Sequence, residues 1–360
     1  MNQPLHPSAP SPAYTLTIES PGRIGYEYST PAILGPEDVR IATLYSGISA
    51  GTEMTAYHGS SPFLSKRWDS EKRLFQPGDA SWTYPMPAMG YEEVGRIVEV
   101  GGAVTSVKVG QVVWGTWRHR SEHVAPESWV APRILAEGVD PQLGIFSQIG
   151  SIALNAILDA GIRLGEYVAI FGQGVPGLMV TQLAKLTGAT VIAVDMLPSR
   201  LALAAEFGAH HVIDASKEDA AARIKEITGG RGADVAIEIS GAYPALHAAV
   251  RSVAYNSKVI ACGFFQGDGR GLYLGEEFHH NRVQIICSQI SGTNPLLDHR
   301  WNRARLDQTI MGLIAAGKVD FGRLISHTFK AKDAQAAFEL LVAAPNDCLQ
   351  VVLDFNEGAA

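Results

Sequence analysis

The chain contains few cysteines and no recognisable export signal. Its 360 residues include only three cysteines, at positions 262, 287 and 348, and no two of them form a C-x-x-C pair. This spacing argues against a disulfide framework. Residues 1–12 are rich in proline and serine and lack the basic start and apolar core of a secretion signal. We therefore predict a loose N-terminal tail and a reducing, cytoplasmic location.

Excess positive charge and long apolar runs are also missing. Charged residues make up 18% of the chain, and the formal net charge is −7. A general nucleic-acid binder needs clustered Lys and Arg to neutralise phosphates, so this composition argues against that class. No apolar run in the sequence reaches the length of a membrane span. The length of 360 residues is enough for two domains, and the hydrophobic content of 46% indicates a well-buried globular protein.

A glycine-rich segment carries the strongest functional signal. The apolar run 167–171 predicts a buried strand, and it leads into Gly172-x-Gly174-x-x-Gly177 and a helical pattern. In such a fingerprint the first glycine makes a tight turn, the second lets the backbone approach a pyrophosphate, and the third lets helix and strand pack closely. The helix N-terminus then offers free N–H groups to the phosphates. The predicted dinucleotide-binding loop comprises Gly172, Gln173, Gly174, Val175, Pro176 and Gly177.

The end of the next predicted strand bears on the choice of dinucleotide. The run 190–194 is strand-like and is followed by Asp195. An acidic side chain at this position hydrogen-bonds the adenine-ribose 2′-hydroxyl and repels a 2′-phosphate, so the sequence favours NAD over NADP. Arg200 leaves two alternatives, because it can neutralise Asp195 or lie solvated on the helix that begins near Pro198.

The predicted secondary-structure pattern changes twice along the chain. Residues 14–133 are strand-like and rich in glycine and proline, with strands predicted at 93–100 and 107–114. From about residue 152 to residue 292 strands alternate with helices, which predicts a parallel, doubly wound sheet covered on both faces. Beyond residue 292 the pattern loosens again. It predicts helices at 303–316 and 334–342 and a final strand at 349–355.

Several segments together resemble the medium-chain dehydrogenase/reductase superfamily, which includes zinc alcohol and polyol dehydrogenases and zinc-free quinone reductases. These segments are residues 47–53 (GISAGTE), 90–95 (GYEEVG), 109–113 (VGQVV), the glycine fingerprint, and 324–329 (LISHTF). The resemblance implies an α/β fold with a GroES-like, β-rich catalytic domain at 1–152 and 293–360. It also implies a Rossmann dinucleotide-binding domain at 153–292, an active site in the cleft between the domains, and a homodimer.

The chain departs from the zinc-binding members of that superfamily at the metal ligands. Ser49 stands where those members have a catalytic Cys, Tyr91 where they have a His, and Gln148 where they have a Cys or Glu. The four-cysteine lobe of a structural zinc is also missing, since residues 114–123 contain no cysteine. Ser, Tyr and Gln are poor zinc ligands, so no zinc is expected. Segment 48–53, with Ser291 and 300–301, is similar to the branch that includes bacteriochlorophyllide-type dehydrogenases.

Without zinc, side chains must manage the proton of the reaction. Tyr91 can donate to a carbonyl oxygen, can accept from an alcohol if its pKa is depressed, or can simply fill the space left by the metal. Glu92 can act as a base with a raised pKa or be held in a structural ion pair. Ser49 and Thr52 can relay a proton, or cap the short helix predicted at 52–58.

A further group of residues is expected to line the substrate site. Gln148 and Asn155 can bond a polar substrate or satisfy backbone groups, and His58 can protonate it or lie on an exposed loop. Trp82 and Trp117, with Tyr84 and Trp114, can form an apolar or sugar-stacking wall or belong to the core. The basic cluster 118–120 can attract an acidic substrate or be a solvated turn.

The sequence therefore predicts a zinc-independent NAD(H)-dependent oxidoreductase that interconverts an alcohol and a carbonyl compound by hydride transfer. A second interpretation is an NADPH-dependent quinone or enoyl reductase, against which Asp195 counts. A third is a catalytically silent NAD-binding sensor, which would have no use for the exchangeable protons of Tyr91, Glu92 and Ser49. Neither the substrate nor the direction of the reaction follows from the sequence.

Overall fold

The fold is described from a computed structural model, which covers residues 12–356. The predicted tail, apart from Pro12, lies outside the described residues. Seventeen strands are found in this part of the chain: β1 Ala13–Ser20, β2 Arg23–Ser29, β3 Asp38–Ile48, β4 Lys66–Asp69, β5 Leu74–Pro77, β6 Met86–Pro87, β7 Glu93–Val100, β8 Val112–Gly115, β9 Glu122–Pro126, β10 Tyr167–Phe171, β11 Thr190–Asp195, β12 His211–Asp214, β13 Ala233–Glu238, β14 Val253–Ala261, β15 Gln284–Cys287, β16 Ile325–Lys330 and β17 Gln350–Asp354.

Nine α-helices accompany the strands within residues 12–356: α1 Glu53–His58, α2 Glu127–Val130, α3 Phe146–Ala160, α4 Val175–Leu186, α5 Pro198–Glu206, α6 Ala220–Ile227, α7 Tyr243–Ser252, α8 Arg303–Ala315 and α9 Ala334–Ala343. The helical stretch Pro141–Ala160, which includes α3, is long and apolar enough to cross a membrane by length and composition. Its most apolar window is 78% buried inside the protein, which is also typical of a core helix.

The chain divides into two compact units. The first contains residues 12–135, 329–339 and 353–356, and the second contains residues 136–328 and 340–352. The predicted domain boundaries at 152 and 293 differ from the limits of these units and stay a prediction. The first unit is discontinuous in sequence and is completed by the last part of the chain.

The second unit is built on a parallel sheet of six strands in the order β12-β11-β10-β13-β14-β15. The order reverses between β10 and β13, both of which are parallel to their neighbours. Strands 168–171 and 191–194 are apolar and almost wholly buried, as expected for a sheet covered by helices on both faces. Ligands of such sheets bind at the carboxyl ends of the strands beside this reversal. This architecture positions the loop that follows β10.

The first unit is β-rich. β3 pairs with β7 and β9, and β7 pairs with β8. Val39, Ile41, Ile97 and Val113 are fully buried between the strands. A three-stranded sheet, β2-β1-β6, and the β4–β5 hairpin complete the strands described in this unit. Together with the parallel sheet, this arrangement confirms the predicted α/β fold class with GroES-like and Rossmann parts.

Most of the predicted helices and strands are present, but they begin or end at slightly different residues. One predicted strand is much shorter than expected. The predicted strand 107–114 is a strand only at Val112–Gly115. Gly110 adopts a positive φ of 95°. The amide of Gln111 closes a turn onto the carbonyl of Lys108. The apolar residues before this turn therefore pack as a loop, because a left-handed residue interrupts an extended strand.

Candidate functional site

The glycine loop after β10 is formed by close backbone packing. Gly172 adopts a φ of 95°, in the left-handed region that favours glycine. A Cβ on Gly177 would lie 1.9 Å from the carbonyl oxygen of Gly172, so no side chain fits at position 177. A Cβ on Gly174 would meet nothing within 4 Å, which leaves open space above the start of α4. Gly172 thus forms a turn, Gly174 leaves an open surface, and Gly177 allows close packing on Gly172.

The residues between these glycines hold the loop from inside. Gln173 is fully buried, and its side chain donates to the carbonyl of Ile170 (3.1 Å) and accepts from the hydroxyl of Thr181 (2.8 Å). Val175 begins α4, and Pro176 occupies its first turn, where a missing N–H costs nothing. The N–H groups of this first turn are the donors that would hold a pyrophosphate. The loop therefore fits a dinucleotide.

Asp195 at the end of β11 is tied to the same loop. Its carboxylate accepts from the amide of Gln173 (2.6 Å) and from the amides of Met196 and Leu197 (2.8 and 2.9 Å). Arg200, by contrast, donates to the carbonyls of Pro345 and Cys348 (3.2 and 3.3 Å). This contact differs from both alternatives predicted for Arg200, because the guanidinium bonds a neighbouring loop. Its role in cofactor binding stays a prediction.

Ser49, Thr52 and Tyr91 come together in the first unit. Ser49 follows β3, Thr52 precedes α1, and the phenol of Tyr91 donates to the hydroxyl of Ser49. Desolvation, reinforced by the negative charge of Glu92, raises the pKa of Tyr91 well above its usual value, although Ser49 and Thr52 lower it in part. The alternative in which a depressed pKa lets Tyr91 accept a proton is therefore wrong. The phenol stays protonated and acts as a donor.

The helix after Ser49 is not capped by the side chains that the sequence suggested. Thr52 is the N-cap residue of α1 but makes no side-chain capping bond, and its hydroxyl bonds the phenol of Tyr91 instead. The amide of Glu53 bonds the carbonyl of Ser49 at 2.9 Å. Glu92, also predicted as catalytic, is fully buried next to Tyr91 in the sequence. The hydroxyls of Ser49, Thr52 and Tyr91 thus meet in the first unit.

Behind these hydroxyls lies a buried network that the sequence did not predict. Glu53 accepts from the amide of Ser49 (2.9 Å) and contacts Nε2 of His119 (2.6 Å). His119 contacts Ser46 through Nδ1 (2.6 Å), and Ser46 donates to Glu93 (3.0 Å). The exposure of Glu53 is 1%, and Ser46, Glu93 and His119 are fully buried. Sequence reasoning assigned His119 to a basic surface cluster, and this assignment is wrong.

Hydrogen bonds link the side chains of this network in a row. Ser46 lies between Glu93 and Nδ1 of His119, and Nε2 of the same ring contacts Glu53, with the donor at each ring nitrogen set by the tautomer. Burial raises the pKa of Glu93 well above its usual value, although the amide of Trp117 donates to it at 2.7 Å. Through Glu53, the network holds the backbone amide of Ser49.

The residues at the zinc-ligand positions do not fit a zinc ion. Ser49 and Tyr91 are hydroxyls that bond each other, whereas zinc is held by thiolate, imidazole or carboxylate groups. Within residues 12–356, one group of three or more His, Cys, Asp or Glu side chains is close enough to share a metal: His247, Glu276 and Glu277. That group belongs to the second unit, and its Glu277 pairs with Arg251. No step through zinc follows from these residues.

The predicted substrate residues of the first unit differ in exposure. Trp117 is buried, and its indole donates to Thr43 (3.0 Å) and stacks on His123. It therefore belongs to the core of its unit, which was one of the two alternatives. Trp82 is half-buried and stacks on Phe63 with ring centroids 4.6 Å apart. His58 is exposed at the end of α1.

The two predicted amides belong to the second unit. Gln148 and Asn155 both lie on α3, where Gln148 is half-buried and Asn155 is buried. Asn155 donates to Asp159 and Ser288, both at 3.3 Å, while its side-chain oxygen is buried without a hydrogen-bond partner. An unsatisfied buried acceptor is unusual in a folded protein and fits an incoming donor. The substrate role of both amides stays a prediction.

Comparison with known proteins agrees with this fold and loop. The family model described as zinc-binding dehydrogenase matches residues 176–303. D-guloside 3-dehydrogenase of Escherichia coli is 32% identical over 309 residues, which cover 83% of this chain and 87% of that protein. Sorbitol dehydrogenase 1 of Saccharomyces cerevisiae is 26% identical, covering 94% and 97%.

The likeness extends to solved structures. A zinc-binding dehydrogenase of Sinorhizobium meliloti, determined with NADP bound, superposes with a TM-score of 0.74 at 22% identity. The alignment covers 96% of this chain and 99% of that one. At this identity the likeness concerns the fold alone, which is the same two-part architecture.

Proposed function

Because the chain belongs to the medium-chain dehydrogenase/reductase superfamily, as an NAD(P)-dependent oxidoreductase acting on CH–OH donors, we propose that it works with NAD and without zinc. The reaction interconverts an alcohol and a carbonyl compound. The observation that carries the proposal is the hydroxyl pair of Tyr91 and Ser49 at the position of the expected metal ligands. A direct hydrogen-bond donor there replaces the polarising effect of a metal.

The side chains of the first unit supply the proton chemistry. NAD, when bound, supplies or accepts the hydride. Tyr91 remains protonated, and on substrate binding its proton turns from the hydroxyl of Ser49 to the substrate oxygen, which carries negative charge as the carbonyl is reduced. The hydroxyls of Ser49 and Thr52 bond the phenol and hold its orientation. The Glu53–His119 pair fixes the backbone amide of Ser49 and so the position of its hydroxyl.

The choice of NAD rests on Asp195. Its carboxylate is held at the carboxyl end of β11 by three backbone amides and would repel a 2′-phosphate. Arg200 bonds the carbonyls of Pro345 and Cys348, which leaves the charge of Asp195 in place. Both features favour NAD.

The substrate class that we propose is a secondary alcohol on a sugar-derived skeleton. The names of the guloside and sorbitol dehydrogenases describe such substrates for those two proteins. The bacteriochlorophyllide-type branch, suggested by residues 48–53, is a less favoured proposal because a tetrapyrrole shares no hydroxyl pattern with a sugar. We also propose a cytoplasmic homodimer, with no nucleic-acid or membrane partner.

Two other functions remain as alternatives. An NADPH-dependent quinone or enoyl reductase would require Asp195 to tolerate a 2′-phosphate. A catalytically silent NAD sensor would bind the dinucleotide without turnover. The buried network behind Ser49 and Tyr91 favours an enzyme, because burying Glu53, Glu93 and His119 is costly unless their geometry is used.

The test combines metal analysis with turnover. Purified protein, before and after dialysis against a chelator, is assayed with NAD and NADP on a panel of polyols, glycosides, simple alcohols and quinones. We expect the protein to oxidise a sugar-derived alcohol with NAD and to keep this activity after chelation. The zinc content of the purified protein should be below about 0.1 atom per chain. Stoichiometric zinc whose removal abolishes turnover would contradict the proposal.

Tyr91→Phe tests the donor, with Tyr26→Phe as the matched control. We expect Tyr91→Phe to lower kcat about 100-fold with little change in KM, because the lost bond forms with the developing charge. Tyr26 also donates its phenol, to the carbonyls of Ala331 and Lys332, but it lies on β2 outside the proposed site. Equal kcat in the wild type and Tyr91→Phe would remove Tyr91 as the proton donor.

A further inference from the structure

A second buried carboxyl group lies beside the dinucleotide loop. Glu238 is the last residue of β13 and is fully buried. Its carboxyl group accepts from the amides of Ser240 (2.9 Å) and Gly241 (3.2 Å) and from the hydroxyl of Ser240. All these partners belong to the turn that follows β13. The carboxyl group therefore holds this turn from inside.

The turn held by Glu238 packs against the glycine loop. β13 pairs with β10, and Glu238 is in register with Phe171, the residue before Gly172. A Cβ on Gly172 would meet Cβ of Ser240 at 2.8 Å and its amide nitrogen at 3.0 Å. The amide of Ile239 bonds the carbonyl of Phe171 at 3.0 Å. Any movement of the Ser240 turn is thus transmitted to the loop that would hold the pyrophosphate.

The surroundings of Glu238 contain no compensating charge within the described part of the chain. The thiol of Cys262, just beyond β14, faces Glu238, and that thiol in turn interacts with Asp159 of α3 and Cys287 of β15. Burial raises the pKa of Cys262 to about 12, so this thiol is neutral. Burial also raises the pKa of Glu238 to about 7, although the bonds from the Ser240 turn lower it in part.

We propose that Glu238 is a positioning residue for the dinucleotide and takes up a fraction of a proton from solvent near neutral pH when the dinucleotide binds. The proposal rests on the dinucleotide site of the proposed function. A pyrophosphate carries two negative charges and would lie at the loop that packs on the Glu238 turn. The phosphate charges repel a carboxylate that is buried behind the loop, and protonation of Glu238 removes this repulsion.

The sign of the pH dependence follows from this linkage. Below pH 7 the free protein already carries the proton on Glu238, so binding needs no further proton. Above pH 7 the free protein must take up a proton to reach the form that binds more tightly, so affinity falls as the pH rises. If the bound dinucleotide raises the affinity of Glu238 for its proton tenfold, Kd rises about tenfold between pH 6 and pH 9.

The experiment is calorimetric titration of the full chain with NADH from pH 6 to pH 9, in buffers of different ionisation enthalpy. We expect the wild type to take up about half a proton per NADH near pH 7.5, by the linkage relation. Glu238→Gln, which mimics the protonated carboxyl group, should take up none and should lose the tenfold change in Kd. Asp214→Asn is the matched control, because Asp214 ends the neighbouring strand β12 and the pKa of its carboxyl group is lowered to about 2 by the bonds from Lys217 and Ser216.

A second variant keeps the test decisive if Glu238→Gln folds poorly. Ser240→Ala removes a hydrogen bond that lowers the pKa of Glu238, so the midpoint of the Kd profile should move to higher pH. An unchanged midpoint in Ser240→Ala, or proton uptake that persists in Glu238→Gln, would overturn the role of Glu238. Absence of NADH binding at every pH would instead overturn the dinucleotide function on which the role depends.

Discussion

The two units form their candidate sites from different parts of the chain, one from backbone atoms and the other from side chains. The dinucleotide loop of the second unit is made mainly of backbone, with Gly172 and Gly177 packed together and amides directed at Asp195. The site of the first unit is made of buried side chains, Glu53, Glu93 and His119, that come from three separate segments. A backbone site tolerates no added atom where the backbone is in contact, as at Gly177, whereas a side-chain site tolerates no lost partner. The following predictions test this contrast, from the largest expected effect to the smallest.

Removing the imidazole should be the most destabilising change in the first unit. His119→Ala leaves Glu53 and Ser46 buried without their shared partner, and such a loss costs about 3–5 kcal/mol. Urea unfolding of the wild type and the variant measures the change. His123→Ala is the control, since His123 stacks on Trp117 without an ion pair among the described residues. A loss below about 1 kcal/mol would show that the network contributes little to stability.

Glu238 gives the dinucleotide unit a pH-dependent stability. Its pKa of about 7 in the folded protein exceeds the usual 4.5, so the folded state holds the proton more tightly. The contribution of Glu238 to the free energy of unfolding is therefore fully present below pH 4.5. It falls by about 3 kcal/mol as the pH rises through 7. The unfolding free energy of the wild type minus that of Glu238→Gln should therefore fall by this amount between pH 4.5 and pH 8. A flat difference would rule out a shifted carboxyl group.

Adding one atom should damage the backbone site. Gly177→Ala places a Cβ against the carbonyl of Gly172, and overpacking of this kind costs about 2 kcal/mol and displaces the loop. Gly174→Ala meets open space, so it should leave stability unchanged and weaken only NADH binding. Urea unfolding and NADH titration separate the two variants. Equal stability loss in both would contradict the assigned contacts.

The smallest effect is expected for cofactor choice. Asp195→Ser removes the carboxylate that would repel a 2′-phosphate, so the ratio of NAD to NADP affinity should fall about tenfold, or 1.4 kcal/mol. Glu206→Ser is the control, because Glu206 is an exposed acid at the end of α5 that pairs with Arg323. Titration with both dinucleotides gives the ratio. A preference for NADP in the wild type would refute the NAD assignment.

The contrast between the units also explains what the sequence could predict. The loop at 172–177 was found because its residues are adjacent in sequence and each glycine has a local steric role. Ser49, Thr52 and Tyr91 were found through resemblance to known segments. His119 was misassigned because its neighbours Arg118 and Arg120 suggest a surface, whereas its partners Glu53 and Ser46 lie more than 60 positions away. Pairing over such separations is set by strand packing, which periodicity does not reveal.

The last described residues of the first unit have a consequence for synthesis. β3 ends at Ile48, but one of its carbonyls, that of Leu44, is bonded by the amide of Phe355. At roughly 5–20 residues per second, the ribosome needs about 15–60 s to add the intervening chain. During this time one edge of β3 is open to pairing with other chains. Newly made chains should therefore depend on chaperones until these last residues emerge.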